Sequence, residues 1–180
     1  MSSYKQIKTP LDQVNILLNK VVSDDRGHFL DNAEVDNPVI NTTQHIHSVI
    51  AHKKHSVRGE HYHYNLVEDF YVLHGTTLVV LYDDNKDSPS YKKAFSFVAG
   101  TKGDVVLPSN TSQFFIEDGV LAQVHIAPKV WHGFWALTDI GSVILALGTA
   151  GYDKNDYKKI KALDIPLVCD ILQNYGIISE

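Results

Sequence analysis

Two histidines one residue apart, a glutamate five positions on and a glycine after that form the chemically densest stretch of the chain. Arg58-Gly59-Glu60-His61-Tyr62-His63, followed by Glu68 and Gly75, reads H-x-H-x4-E-x6-G. Side chains alternate along a strand, so His61 and His63 share a face. Glu68 joins them if the strand bends or a neighbouring strand carries it. Imidazole and carboxylate together suit Zn, Fe, Mn or Ni. Without a metal, the same groups suit removal of a proton next to a carbonyl. Regular alternation would put Arg58 on the opposite face from His61. Both reach one pocket only if the strand bulges near Gly59, where glycine permits it.

The elements that must position these residues are strands. Candidate strands are Val14–Val22, His45–Ile50, Ser56–His63, Phe70–His74, Thr77–Tyr82, Ala94–Val98, Asp104–Leu107, Gln113–Ile116, Val120–Ile126, Trp131–Ala136 and Val143–Leu147. Turn-forming residues separate them, among them Asp25-Arg26-Gly27, His74-Gly75 and Glu117-Asp118-Gly119. Short strands at this spacing predict an all-β sandwich or barrel. Helical patterning is confined to Lys154–Leu163 and Leu167–Tyr175. At 180 residues a single domain over 1–180 is expected, with its barrel core at about 40–150.

Composition narrows the function. A net charge of −5 argues against a nucleic-acid partner, because phosphate contacts need a basic surface. No apolar run reaches the roughly 20 residues that cross a bilayer. Met1 to Pro10 is polar, without the apolar core of a signal peptide, and Cys169 stands alone. A cytoplasmic address is expected.

With these motifs in view, H-x-H-x4-E-x6-G resembles the first motif of the cupins, double-stranded β-helix (jelly-roll) barrels that gather ligands inside the barrel. Pro128-Lys129-Val130-Trp131-His132-Gly133-Phe134 is similar to the second, with the proline shifted by one and a glycine missing. More specifically, the chain resembles the dTDP-4-dehydrorhamnose 3,5-epimerase family of sugar-nucleotide cupins. Asp24-Asp25-Arg26-Gly27-His28-Phe29-Leu30-Asp31 is similar to D-x-R-G-x-F-x-E, and Val57 to Tyr62 to L-R-G-L-H-Y. Asp83 through Ser88-Pro89-Ser90-Tyr91 is similar to D-x-R-x-x-S-P-T-Y, and Trp131-His132-Gly133-Phe134 to A-H-G-F.

The resemblance implies a cupin barrel with short C-terminal helices, acting as a homodimer on a nucleotide-diphosphate sugar with no organic cofactor. His61 would remove the proton beside the ketone of a 4-keto-6-deoxy sugar, in surface-polysaccharide or deoxysugar biosynthesis. Arg26, Phe29 and Arg58 would bind substrate. Arginine suits a diphosphate because its fork donates two parallel hydrogen bonds.

Two positions depart from the family. Ala146 stands where the family has its proton-donating tyrosine; Tyr152, which matches a later tyrosine, is carried as the second catalytic candidate. Glu68 stands where the family has a lysine. The first change favours a single-centre epimerisation or a 3,4-keto shift over double epimerisation. The second, with His63 in place of the usual glutamine, completes a metal set of His61, His63, Glu68 and His132. This resembles the zinc-bearing cupin domain of a bifunctional capsular-polysaccharide enzyme. One divalent metal would make the chain a metal-dependent dioxygenase or isomerase, and loss of catalysis would leave a sugar-nucleotide-binding cupin.

Blander readings stand beside these. His132 can be a core histidine bonded to backbone. His45, His47, His52 and His55 read as strand-surface residues, His125 as a packed one, and Arg26 as a turn residue. Phe29, Phe70, Phe95, Phe114 and Phe115 read as core aromatics, Lys154–Lys161 as a solvated helix face, and Asp164 as a poor match for the acidic residue that orients the family's catalytic histidine.

Overall fold

The computed structural model describes residues 4–32 and 37–179. Thirteen strands among the described residues build two facing sheets. In chain order, β1 (Tyr4–Lys8), β2 (Val14–Asp24) and β3 (Gly27–Leu30) precede the four-residue helix α1 (Val39–Thr42). Then come β4 (His45–Ala51), β5 (Val57–His63), β6 (Glu68–His74), β7 (Thr76–Asp83), β8 (Ala94–Gly100) and β9 (Ser112–Phe115). β10 (Val120–Ile126), β11 (Val130–Ala136), β12 (Ser142–Gly148), β13 (Tyr157–Lys159) and α2 (Pro166–Asn174) complete the fold.

One sheet has the order β1-β2-β10-β6-β12-β4, with β3 folded back on β2; the other runs β13-β5-β11-β7-β8-β9. Every pairing is antiparallel except β8 with β9. This is the expected all-β cupin barrel. Phe70, Val72, Val79, Leu81, Phe97, Val124, Phe134 and Ile144 fill the space between the sheets. Residues such as Leu78, Val80, Trp131 and Trp135 on the outer face of the second sheet pack against Val168 and Leu172 of α2. β7 is therefore buried on both faces, which explains its unbroken apolar run instead of an alternating one.

Three local expectations are corrected. Asp104–Leu107 forms no strand: Val105 and Leu107 pack on the core while Val106 is 98% exposed. The alternation is real there, but no partner backbone lies beside it. Lys154–Leu163 is not a helix. A turn closed by Asp153, whose carboxylate accepts from Asn155 N–H at 2.8 Å, delivers Tyr157–Lys159 to the free edge of β5. Tertiary pairing overrides local helical patterning at that edge. Phe29 is 65% exposed on the short β3 and is no core residue. β1 and β3 were not foreseen, being short and polar. Among the described residues, no helix is long and apolar enough to cross a membrane.

Candidate active site

The key irregularity lies in β5. Gly133 of β11 faces Gly59 while His132 faces His61, so Glu60 is an extra, bulged residue. Gly59 has φ +89° and Glu60 φ +60°, both in the left-handed region where glycine is at ease. A Cβ on Gly59 would lie 2.7 Å from the His132 carbonyl oxygen, so only glycine lets the two strands approach this closely. Glu60 is held by its own contacts: its carboxylate accepts from Ala162 N–H at 2.8 Å and its carbonyl from Ile160 N–H at 3.1 Å. The extra residue flips the alternation, so Arg58 and His61 line one cavity.

That cavity, about 530 Å³, opens between the sheets. His61, His63 and His132 bring one nitrogen each to within 4.8 Å of one another. Glu68 Oε2 lies 3.3 Å from His63 Nε2 and 3.9 Å from His132 Nε2. His132 Nδ1 lies 3.3 Å from the Val130 carbonyl; donating there leaves Nε2 to face the cluster. The backbone-bonded core histidine and the cluster member are thus one residue.

Electrostatics follow burial. Desolvation pushes His132 down to about 3 and also lowers His61, where the Gly59 carbonyl partly opposes it. Burial would raise the Glu68 carboxyl, but the His63 hydrogen bond and the nearby imidazoles outweigh it and lower it. The result is an ionised Glu68 close to the neutral rings of His61 and His132.

β13 adds residues that the helical expectation hid. Tyr157 pairs with His63 and Lys159 with His61, and directly paired residues share a sheet face. Both line the cavity, and the Tyr157 ring is 5.5 Å from that of His61. β4 adds His45 and His47, whose rings stack at 5.1 Å on the cavity wall; they are not simple surface residues. The signal available in the sequence was the i, i+2 spacing, the same one that singled out His61 and His63. His52 and His55 are exposed and away from the cavity, as expected.

The remaining candidates fall as follows. Tyr152 is 73% exposed at the cavity rim, its hydroxyl 3.2 Å from that of Tyr157. Ala146 is fully buried in the core between the sheets. Arg26 and Phe29 sit on the β2–β3 hairpin, outside the cavity lining; Arg26 is tied to Asp24 at 2.5 Å. Asp164 is also outside it. His125 does more than pack, because its ring bonds Asp69 at 3.2 Å.

The sequence profile of the family described as dTDP-4-dehydrorhamnose 3,5-epimerase matches residues 8–180. No curated protein matches the chain. Among solved structures, it is similar to NovW of Streptomyces spheroides, a 4-keto-6-deoxy sugar epimerase from the novobiocin biosynthetic gene cluster. That likeness has TM-score 0.70 at 18% identity, covering 90% of this chain and 76% of that one. A Legionella pneumophila dTDP-6-deoxy-D-glucose-3,5-epimerase in complex with dTDP-4-keto-L-rhamnose gives 0.71 at 20% identity, covering 92% and 81%. A dTDP sugar isomerase of Desulfovibrio desulfuricans gives 0.70 at 21%, covering 89% and 92%. With its profile matched over nearly the whole length, the chain belongs to the dTDP-4-dehydrorhamnose 3,5-epimerase family.

Proposed function

We propose that the protein is a sugar-nucleotide epimerase or ketoisomerase acting on a nucleotide-linked 4-keto-6-deoxy sugar. The observation that carries this reading is His61, an imidazole kept neutral by burial, set in a sugar-sized cavity with Arg58 on its own strand and Lys159 directly across from it. A ketone acidifies the hydrogens on its neighbouring carbons, and a neutral imidazole is a competent base there. Arg58 and Lys159, both exposed at the mouth, suit the diphosphate, whose charge gains from two flanking cations. Tyr152 and Tyr157 offer phenols at the rim. Ala146, buried in the core, offers no proton donor at that position, which supports a single-centre epimerisation or a keto shift. The test is incubation with dTDP-linked 4-keto-6-deoxyhexoses and proton NMR of the products; an epimer or a moved ketone is expected, and unchanged sugar would overturn the reading.

Homodimerisation belongs to the same proposal. Arg26 and Phe29 line nothing in their own chain, and Phe29 and Val22 are 65% and 57% exposed on the β2–β3 hairpin. A second copy that receives this hairpin at its cavity mouth would bury them and give both a substrate contact. Sedimentation of the wild type and of Phe29→Asp checks this, with a dimer and a monomer as the expected results. A cytoplasmic location follows from the substrate.

A second reading is favoured by the His61, His63, His132 and Glu68 cluster. Three nitrogens within 4.8 Å of one another are the right donors, and drawing them in by about an ångström would place each at about 2.0–2.1 Å from an ion; Glu68 adds an anionic oxygen. Zn, Fe, Mn or Ni suits this set. A bound ion would supply Lewis-acid polarisation of the ketone, and His61 would then be a ligand instead of the base. Elemental analysis of protein purified without added metal tests it; about one equivalent supports the metal enzyme, and less than about a tenth rejects it.

A further inference from the structure

Removing a proton beside a ketone moves the C–H electron pair into a new C=C bond and leaves negative charge on the ketone oxygen. That oxygen needs a hydrogen-bond donor facing it, preferably one in a poorly solvated place. Near the cluster most polar groups are unsuited. Glu68 is an anion and the wrong sign. The nitrogen of His63 that faces the cluster is turned to Glu68 at 3.3 Å, and His132 has Val130 O within reach of its Nδ1. The hydroxyls of Tyr152 and Tyr157 lie against each other at the rim. Arg58 and Lys159 are exposed at the mouth, on the same strand pair as the base.

The opposite wall supplies the donor. β4 lies at the edge of the other sheet, paired to β12, with His47 in register with Ala146 and Ala146 in register with Phe70. This row faces the interior, and Ala146 puts only a methyl between Phe70 and His47. His47 is half-buried and lines the cavity; its Nδ1 is sealed off without a partner, which leaves Nε2 as the nitrogen open to a bound sugar. The stacked ring of His45 fixes its orientation. His61 touches Tyr157, His63 and His132, but no ring contact joins it to His47 among the described residues. Reacting atoms sit about 3–3.5 Å from a catalytic group, so a sugar ring fits between groups on facing walls and not between rings already in contact.

We infer that His47 is a further catalytic residue of this site, the hydrogen-bond donor to the substrate's ketone oxygen while His61 removes the adjacent proton. The inference rests on the epimerase reading above. It requires His47 only to share its N–H hydrogen: the proton taken from carbon resides on His61, and the enolate oxygen is stabilised without full transfer. Burial favours the neutral ring, and the groups that act on it are Glu68, which opposes this, and His45 and His63, which reinforce it. A neutral imidazole polarising a carbonyl is established chemistry for enolisation.

The test compares wild type, His47→Phe, His47→Asn and His61→Asn for solvent-deuterium incorporation into a dTDP-linked 4-keto-6-deoxyhexose, with a dTDP thermal shift confirming folded sites. Loss of one such donor costs about 10²–10³-fold in turnover. His47→Phe is expected to lose that factor in kcat with KM within about threefold. His47→Asn, which keeps an N–H, should recover at least about tenfold of it. His47→Phe within threefold of wild type, or His47→Phe and His47→Asn equally impaired, overturns the role of His47 while leaving the epimerase reading intact. Wild type that binds dTDP yet incorporates no deuterium overturns the epimerase reading and this inference together.

Discussion

Replacing Gly59 by alanine probes fold and site at once. The residue holds φ +89° and its added Cβ would meet the His132 carbonyl oxygen at 2.7 Å, with Gly133 Cα at 3.3 Å. Left-handed backbone costs an L-residue about 1–2 kcal/mol. Forcing a methyl against fixed backbone adds about 1–3 kcal/mol, for a total of about 2–5 kcal/mol. In a chain of this length each kcal/mol moves Tm by about 2–4 °C, so Gly59→Ala should lower it by roughly 4–20 °C. Gly119 is the control, with φ +79° and nothing within 4 Å of its Cβ position. Gly119→Ala bears only the backbone cost and should lose about 2–8 °C. Differential scanning calorimetry of both variants isolates the contact term. Substrate turnover of Gly59→Ala should also fall, because relief of the clash disturbs the bulge that puts Arg58 and His61 on one face. Equal Tm losses in the two variants, or full activity in Gly59→Ala, would refute the argument.

Further predictions concern charge. His132 is held neutral down to about 3 by burial but protonates near 6.5 when unfolded, so the unfolded state binds more protons and stability falls as pH drops below about 6.5. The lowered Glu68 carboxyl adds a loss of the same sign below its ordinary 4.5; urea titrations should show a flatter acid limb for His132→Asn. His125 has the opposite sign: its bond to Asp69 raises it above 6.5, so its contribution is complete below that value and disappears as pH rises through the folded one. The stability gap between wild type and His125→Gln should therefore be larger at about pH 5.5 than at about pH 8.5. Lys159→Met should raise KM for the nucleotide sugar about 2–5-fold with kcat nearly unchanged, the scale of one exposed charge pair, measured by steady-state kinetics.

Much of this site is legible in the sequence because it obeys a two-residue period. His61 and His63 had to share a face, and if Arg58 was to join them, as the family resemblance implied, the pleat required an irregularity near Gly59, where the bulge lies. β10 is a direct reading of its alternation and flanking turns. β13 escaped because three residues carry no period of their own; what makes Tyr157–Lys159 a strand is the unpaired edge of β5. That miss hid Tyr157 and Lys159 from the list of site residues. His45 and His47 showed the same i, i+2 spacing as the motif, but an edge strand gives no sign of which face is inward. The exposed Phe29 shows the converse limit: an aromatic residue signals burial only when a partner surface exists to receive it.

The central claim is that His61 takes a proton from carbon beside the ketone. It is tested most directly by mass spectrometry of a dTDP-linked 4-keto-6-deoxyhexose recovered from D2O after incubation with metal-free wild-type protein and with His61→Asn. The account predicts at least one deuterium on carbon with the wild type and about 10³-fold slower incorporation with the variant. Incorporation at equal rates by the two proteins would contradict it.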